Sequence, residues 1–382
     1  MAIVISIGND RLIFEEGSKV RNRMIEYGTL FDELHIVVLT QGKKNKEIQI
    51  SKNVWVYPTN SWSRWLYPFD ASSLAKRIHH SRFAFRKEPF IVSAQDPFES
   101  GLGAYWASRK IKAKLHIQVH TDFLSPFFKK GSILNLIRIR IANKILAHAD
   151  GIRVVSKRIF DSIAGKYSLP IGRVSILPIY VADEKKDIMA YDFKKDFPDW
   201  TFVVLMVGRL EKEKNLPLAF RVLKEVIKKY PKTGMVIVGE GRQKGRLELL
   251  AELLRINKNI SFIGRVNDPT PFYLGADAYL HTSNFEGFGM SLVEALKNKL
   301  PIVTTDVGVS GWLLKDGENA LLCGVGDSRQ LYFALMRLIE DNGLRERLKI
   351  GSPLTKDIIS LSKSDYLLRY QKDLLRCLES EK

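Results

Sequence analysis

The chain has 382 residues, 45% of them hydrophobic and 27% charged, with a formal net charge of +18. That length suits two domains better than one. The composition excludes a low-complexity or repeat protein, and no apolar run approaches the ~20 residues of a membrane span.

The charge is concentrated. Residues 1–180 carry 28 Lys and Arg against 14 Asp and Glu, a net of +14, whereas residues 181–382 carry 32 against 28, a net of +4. A basic first half points to an anionic partner: a phosphate-bearing acceptor, a membrane surface or nucleic acid. No helix-turn-helix, zinc spacing or RNP-like aromatic motif supports nucleic acid, and none is expected as a partner. Cys323 and Cys377 stand in no metal-ligand spacing. The first residues, MAIVISIGND, lack a basic n-region and read as a buried strand, so a reducing cytoplasm is the expected compartment.

In chain order, strand-like apolar runs occupy 2–8, 34–40, 54–59, 90–95 and 115–121, with a helical pattern over 99–112. A longer helical pattern covers 132–149 and is followed by strand-like runs at 151–156 and 174–180. A charged, mixed stretch then reads as a linker. A second series restarts with strands at 201–208, 234–241, 260–264, 276–283 and 301–308, and helices at 216–230, 244–256 and 291–299. Such alternation predicts parallel sheets flanked by helices. The expected organisation is a first Rossmann-like domain over 1–182 and a linker over 183–200. A second such domain covers 201–362, and a closing helix over 363–382 is able to pack back on the first. Two doubly wound α/β domains would face a central cleft, with ligands at the carboxyl ends of the strands.

Three strand ends in the second half carry candidate chemistry. VGRLEKEKN puts Gly208 at a turn, with Arg209 and Lys214 beside it. Two cations there suit a diphosphate, although the Walker pattern is absent. GEG repeats the device around Gly239 and reads equally as a tight turn. HTSNFEGFGMSLVEAL sets Glu286 among Gly287, Phe288 and Gly289, then Glu294 where a helix begins. Ser291 with Glu294 fits a capping box. The helix start also suits phosphate through its free N–H groups near Leu292, and a carboxylate suits a vicinal diol such as a ribose. Diphosphate at the helix start, ribose on Glu294 and sugar hydroxyls on Glu286 would form one continuous nucleotide-sugar site.

The spacing of Glu286 and Glu294 resembles the Glu-(seven residues)-Glu signature of family 4 glycosyltransferases, which have the two-Rossmann GT-B fold. VGRLEKEKN is similar to that family's diphosphate-binding loop, and SFIGRVND, with Val266, to its base-contacting segment. LLKDGENALL and KNKLPIVTTDVG resemble its donor-domain core. In the first half, QVHTDFLSP resembles the strand that ends in an active-site histidine, here His120. LAHADGIRVVSKRI resembles the segment closing the first domain. Two departures stand out. Gly17 is the only glycine of the loop between the first strand and its helix, where many members carry a Gly-Gly pair, and Trp312 lies where many carry a glutamate.

The resemblance implies a retaining transfer from a nucleoside-diphosphate sugar, with an oxocarbenium-like transition state, to a glycan, glycolipid or lipid-linked acceptor. It implies no cofactor and no metal, with leaving-group charge carried by Arg209, Lys214 and backbone N–H groups. Glu286 would hold donor hydroxyls, and His120 would approach the donor sugar from the opposite domain. The alternatives are a nucleotide-sugar epimerase on the same fold or a basic nucleic-acid-binding protein. Phe127, Phe128, Lys129, Lys130, Arg138, Arg140 and Lys144 form a basic, aromatic stretch expected to give peripheral contact with an anionic inner leaflet.

Overall fold

The structure, a computed structural model, describes residues 2–42, 45–83, 88–170, 172–181, 188–350 and 361–379. The chain divides into two compact units, Met1–Pro178 with Ser362–Lys382, and Ile179–Leu361.

In the first unit the strands are β1 (Ile3–Gly8), β2 (Glu33–Val38), β3 (Ile48–Ser51), β4 (Val54–Pro58), β5 (Phe90–Ala94), β6 (Lys114–Val119), β7 (Gly151–Val154) and β8 (Val174–Ile176). They form one sheet in the order β3-β4-β2-β1-β5-β6-β7-β8. Every pairing is parallel except β3 on β4, an antiparallel edge that alternation alone did not predict. β1 is buried at all six positions, as a strand covered on both faces requires. The helices are α1 (Lys19–Gly28), α2 (Tyr67–Phe83), α3 (Glu99–Ile111), α4 (Pro126–Gly131), α5 (Ile133–His148) and α6 (Lys157–Lys166). Ser132 caps α5 by accepting from the Asn135 N–H at 3.2 Å, which separates it from the FFKK helix α4.

The second unit opens with α7 (Phe193–Asp196). The strands β9 (Phe202–Val207), β10 (Thr233–Val238), β11 (Ile260–Gly264), β12 (Ala278–His281), β13 (Ile302–Thr305) and β14 (Leu321–Cys323) follow. Between and after them run α8 (Leu216–Lys229), α9 (Lys244–Leu253), α10 (Thr270–Gly275), α11 (Met290–Lys297), α12 (Ser328–Glu340) and α13 (Asn342–Ile350). The sheet is wholly parallel, ordered β11-β10-β9-β12-β13-β14. Strand order therefore reverses between β9 and β12, and in such sheets ligands bind beyond the carboxyl ends at that reversal.

Of the expected linker, residues 183–187 lie outside the described residues, and 188–200 are part of the second unit rather than a free connection. Phe193 is buried, and Tyr191 stacks on Phe272 of α10 with ring centroids 4.6 Å apart. The last helix, α14 (Lys363–Glu379), belongs to the first unit, where Tyr366, Tyr370, Leu374 and Cys377 are buried.

Candidate functional site

The loops after β9 and β12 are laced together. Thr282 Oγ1 donates to the Lys214 carbonyl at 2.9 Å, and the Asn284 N–H to the Glu213 carbonyl at 2.8 Å. The Asn215 and Asn284 side chains bond at 3.0 Å. Asn215 has φ 49°, a left-handed conformation that asparagine tolerates. These bonds fix Lys214 against Glu286, with Nζ donating to Oε1 at 2.5 Å. The two side chains are only 17% and 13% exposed.

Oε1 also accepts from Ser283 Oγ at 2.7 Å and from His281 Nε2 at 3.1 Å. Among the described residues all three bonds converge on Oε1, so Oε2 is the atom left for another donor. Burial alone would raise the Glu286 pKa. The hydrogen bond from His281 and the Lys214 charge outweigh burial and hold the carboxyl well below the usual range. Burial pushes the His281 pKa down, so the imidazole is neutral near pH 7 and its Nε2–H is the donor to Glu286. His281 and Ser283 were not singled out from the sequence. The signal was there: an apolar strand, AYL, breaks into His-Thr-Ser just ahead of the glutamate.

Arg209 is 76% exposed and reaches Glu213 Oε1 at 3.3 Å, an ion pair that water screens. Gly208 and Lys214 line a small cavity with His281 and Ser283. Gly239 is explained by packing: a Cβ there would lie 1.9 Å from the Gly208 carbonyl oxygen, so only glycine lets the two turns abut. Val266 is half-buried in the loop after β11.

The start of α11 differs from the capping box that the sequence predicts. Gly289, at φ 88°, is the N-cap, and Ser291 is already helical and buried. Glu294 instead accepts from the Tyr273 hydroxyl at 2.9 Å. The Leu292 N–H is not open either, since it donates to the Gly289 carbonyl at 3.0 Å. The first-turn N–H groups without an acceptor inside the helix are those of Met290 and Ser291. Gly287 and Phe288 are buried beside them, whereas Trp312 is half-buried in the loop after β13.

The first unit holds the remaining candidates. Gly17 is exposed at φ 72° in the turn before α1, with open space where a Cβ would stand. His120 follows β6 directly, and its Nε2 lies 3.3 Å from Gln118 Oε1. Burial, with the charges of Arg153 and Arg23, pushes its pKa down to about 3. Of the basic stretch, Phe128 is buried and stacks on Phe98, and Arg138 is tied to Glu99 at 2.8 Å, so neither is free to meet a membrane. Phe127 is 38% exposed and Ile133 81%, and Lys129 and Lys130 are exposed beside them.

Residues 187–353 match the family described as Glycosyl transferases group 1, and residues 30–184 the one described as Glycosyltransferase Family 4. The lipopolysaccharide core biosynthesis glycosyltransferase LpsE of Rhizobium meliloti is 30% identical over 155 residues, 41% of this chain and 44% of that protein. The alpha-monoglucosyldiacylglycerol synthase of Acholeplasma laidlawii is 27% identical over 176 residues, 44% of each chain. The match thus spans less than half the length of these relatives. Among solved structures, sucrose-phosphate synthase from Thermosynechococcus elongatus superposes with a TM-score of 0.78 over 99% of both chains at 14% identity. Anabaena HepE, solved in complex with UDP-glucose, gives 0.72 over 100% of both chains at 17% identity. At such identities the likeness is one of fold.

Proposed function

Because the chain belongs to the family 4 glycosyltransferases of GT-B fold, we propose that it is a retaining enzyme. It would transfer a sugar from a nucleoside-diphosphate donor to a hydroxyl of a glycan, glycolipid or lipid-linked acceptor. The observation that carries this reading is the Lys214–Glu286 pair at the strand-order reversal of the second unit.

The chemistry follows from the groups present. Breaking the bond between the anomeric carbon and the diphosphate leaves negative charge on the departing oxygens and positive character on the sugar. Lys214 spends one N–H on Glu286 and keeps others for a phosphate oxygen. Arg209 adds a planar fork, and the Met290 and Ser291 N–H groups add donors at the positive end of α11. Such preorganised donors stabilise the developing charge without reorganising.

Glu286 is ionised, and three donors quench Oε1. It is therefore a poor nucleophile and a good anchor, with Oε2 accepting from sugar hydroxyls. Glu294, which accepts from the Tyr273 hydroxyl, is proposed to hold the ribose. Val266 and its loop would meet the base. Gly239 contributes by letting the Gly208 turn approach the ligand. His120 is proposed as a contact of the donor sugar.

The relatives' names concern lipopolysaccharide core and a glycolipid, which supports an acceptor of a membrane-assembled class. Among the described residues no helix is long and apolar enough to cross a membrane. We propose peripheral attachment at a cytoplasmic leaflet through Phe127, Ile133, Lys129 and Lys130.

Arg209→Ala and Lys214→Ala test the diphosphate clamp. Each variant is expected to weaken nucleotide binding and slow transfer at least 10-fold, about 1.4 kcal/mol or more, and wild-type turnover in both would remove the assignment.

A further inference from the structure

His120 sits at the end of a buried chain of hydrogen bonds whose direction the chemistry of its members fixes. Gln118 Oε1 lies 2.9 Å from Arg153 Nη1 and 3.3 Å from His120 Nε2. A guanidinium only donates. The Gln118 atom facing it is therefore the carbonyl oxygen, which only accepts, and His120 Nε2 must carry a hydrogen.

The other end of the amide agrees. Gln118 Nε2 donates to the Tyr370 hydroxyl at 3.3 Å and to Ser93 Oγ at 3.4 Å. Ser93 Oγ is 3.1 Å from His116 Nδ1, and His116 Nε2 is 3.0 Å from Asp373 Oδ2. Burial would raise the Asp373 pKa, but the bond and charge of His116 outweigh it and keep the carboxylate ionised. With donor-only Arg153 at one end and acceptor-only Asp373 at the other, the Gln118 amide has one consistent orientation. Arg153 is itself held, since its guanidinium donates to the Tyr366 hydroxyl at 2.9 Å and to the Leu177 and Pro178 carbonyls at 3.1 and 3.0 Å. Three of the residues in this scaffold, Tyr366, Tyr370 and Asp373, come from α14.

We propose that Arg153 and Gln118 are positioning residues that lock His120 in the Nε2–H tautomer, leaving Nδ1 as the ring's only acceptor. Burial, with the cationic Arg153 and Arg23 as the charges acting on the ring, keeps it neutral across the physiological range. This deepens, and rests on, the reading of His120 as a contact of the donor sugar: a sugar hydroxyl would meet Nδ1 by donating to it. A neutral ring of this tautomer cannot act as a general acid toward the leaving group.

Histidine-selective ¹⁵N NMR tests this on the full chain, with His120→Asn identifying the resonance by its loss. The expected result is an Nε2–H tautomer that does not titrate between pH 8 and 5. An Nδ1–H tautomer, or titration near pH 6.5, would overturn the proposal. Gln118→Glu keeps the acceptor but places a negative charge beside the ring. It should raise the His120 pKa by at least one unit and make transfer fall on the acid side, and an unmoved pKa would count against the proposal. Transfer by His120→Ala tests the underlying reading separately: wild-type turnover there would remove the sugar contact whatever tautomer the spectrum shows.

Discussion

At the scale of single residues, the Lys214–Glu286 pair couples stability to function. Removing one partner of a mostly buried pair strands the other charge. Lys214→Met is expected to cost the second unit roughly 2 kcal/mol, less than the 3–5 kcal/mol of fully buried pairs because water still reaches both groups. The double variant Lys214→Met with Glu286→Gln should recover part of that loss. The pH sign is fixed by the direction of the shift. Glu286 is depressed in the fold, so its contribution is full above the ordinary glutamate range near pH 4 and is lost as pH falls through the lower folded value. In Lys214→Met the folded value rises toward the ordinary one, so the acid-side loss should be smaller and complete at a higher pH, as urea midpoints between pH 3 and 7 would reveal.

Glu294 offers a second test at this scale. Its carboxylate accepts from the Tyr273 hydroxyl, so Glu294→Gln should lower donor affinity with a change in melting temperature of under about 3 °C, below the shift that about 1 kcal/mol would give a domain of this size. A large melting shift with unchanged affinity would return it to a structural role. The sequence showed that a glutamate pair mattered but mislaid the cap, because left-handed Gly289, two residues before Ser291, is the N-cap and the helix starts at Met290.

At the scale of elements, two turns are jammed together. Gly239→Ala would drive a Cβ into the Gly208 carbonyl, a backbone atom with no flexible end to yield. The expected cost is roughly 2–4 kcal/mol, typical of a forced backbone shift, together with weaker nucleotide binding as the Arg209 loop is displaced. Calorimetry on the same sample reads both. In the first unit Leu374 is fully buried on α14, and Leu374→Ala should cost about 2–5 kcal/mol as a core truncation. If α14 were dispensable, its melting curve would match wild type.

In the second unit β9 to β13 and helices α8, α9 and α11 were legible because the apolar runs are long and end in glycine or polar residues, as at Gly208 and His281, whereas β14, α10, α12 and α13 were not singled out. In the first unit α2 was not, because much of the face it buries is Ala71, Ser72 and Ala75, small residues that let it lie close to Gly103 of α3. Such a face carries little periodic hydrophobic signal. Short β3 escaped notice for a related reason: as an edge strand it is incompletely buried and only four residues long.

At the scale of the whole molecule, the uneven charge and the exposed Phe127 and Ile133 make attachment to an anionic leaflet a measurable expectation. Basic residues near such a surface contribute about 1 kcal/mol each. Flotation with anionic liposomes should show binding at low salt that high salt releases, and Lys129→Glu with Lys130→Glu should abolish it. Unchanged binding in that variant would move the contact elsewhere. The central claim, a nucleoside-diphosphate-sugar site at the strand-order reversal of the second unit, is tested most directly by melting the protein against UDP-, GDP- and ADP-sugars. One base class is expected to stabilise the wild type by about 2.7 kcal/mol at 100 times its Kd, and Glu286→Gln and Lys214→Ala should lose that gain. No stabilisation by any of the three, or an equal gain in both variants, would contradict it.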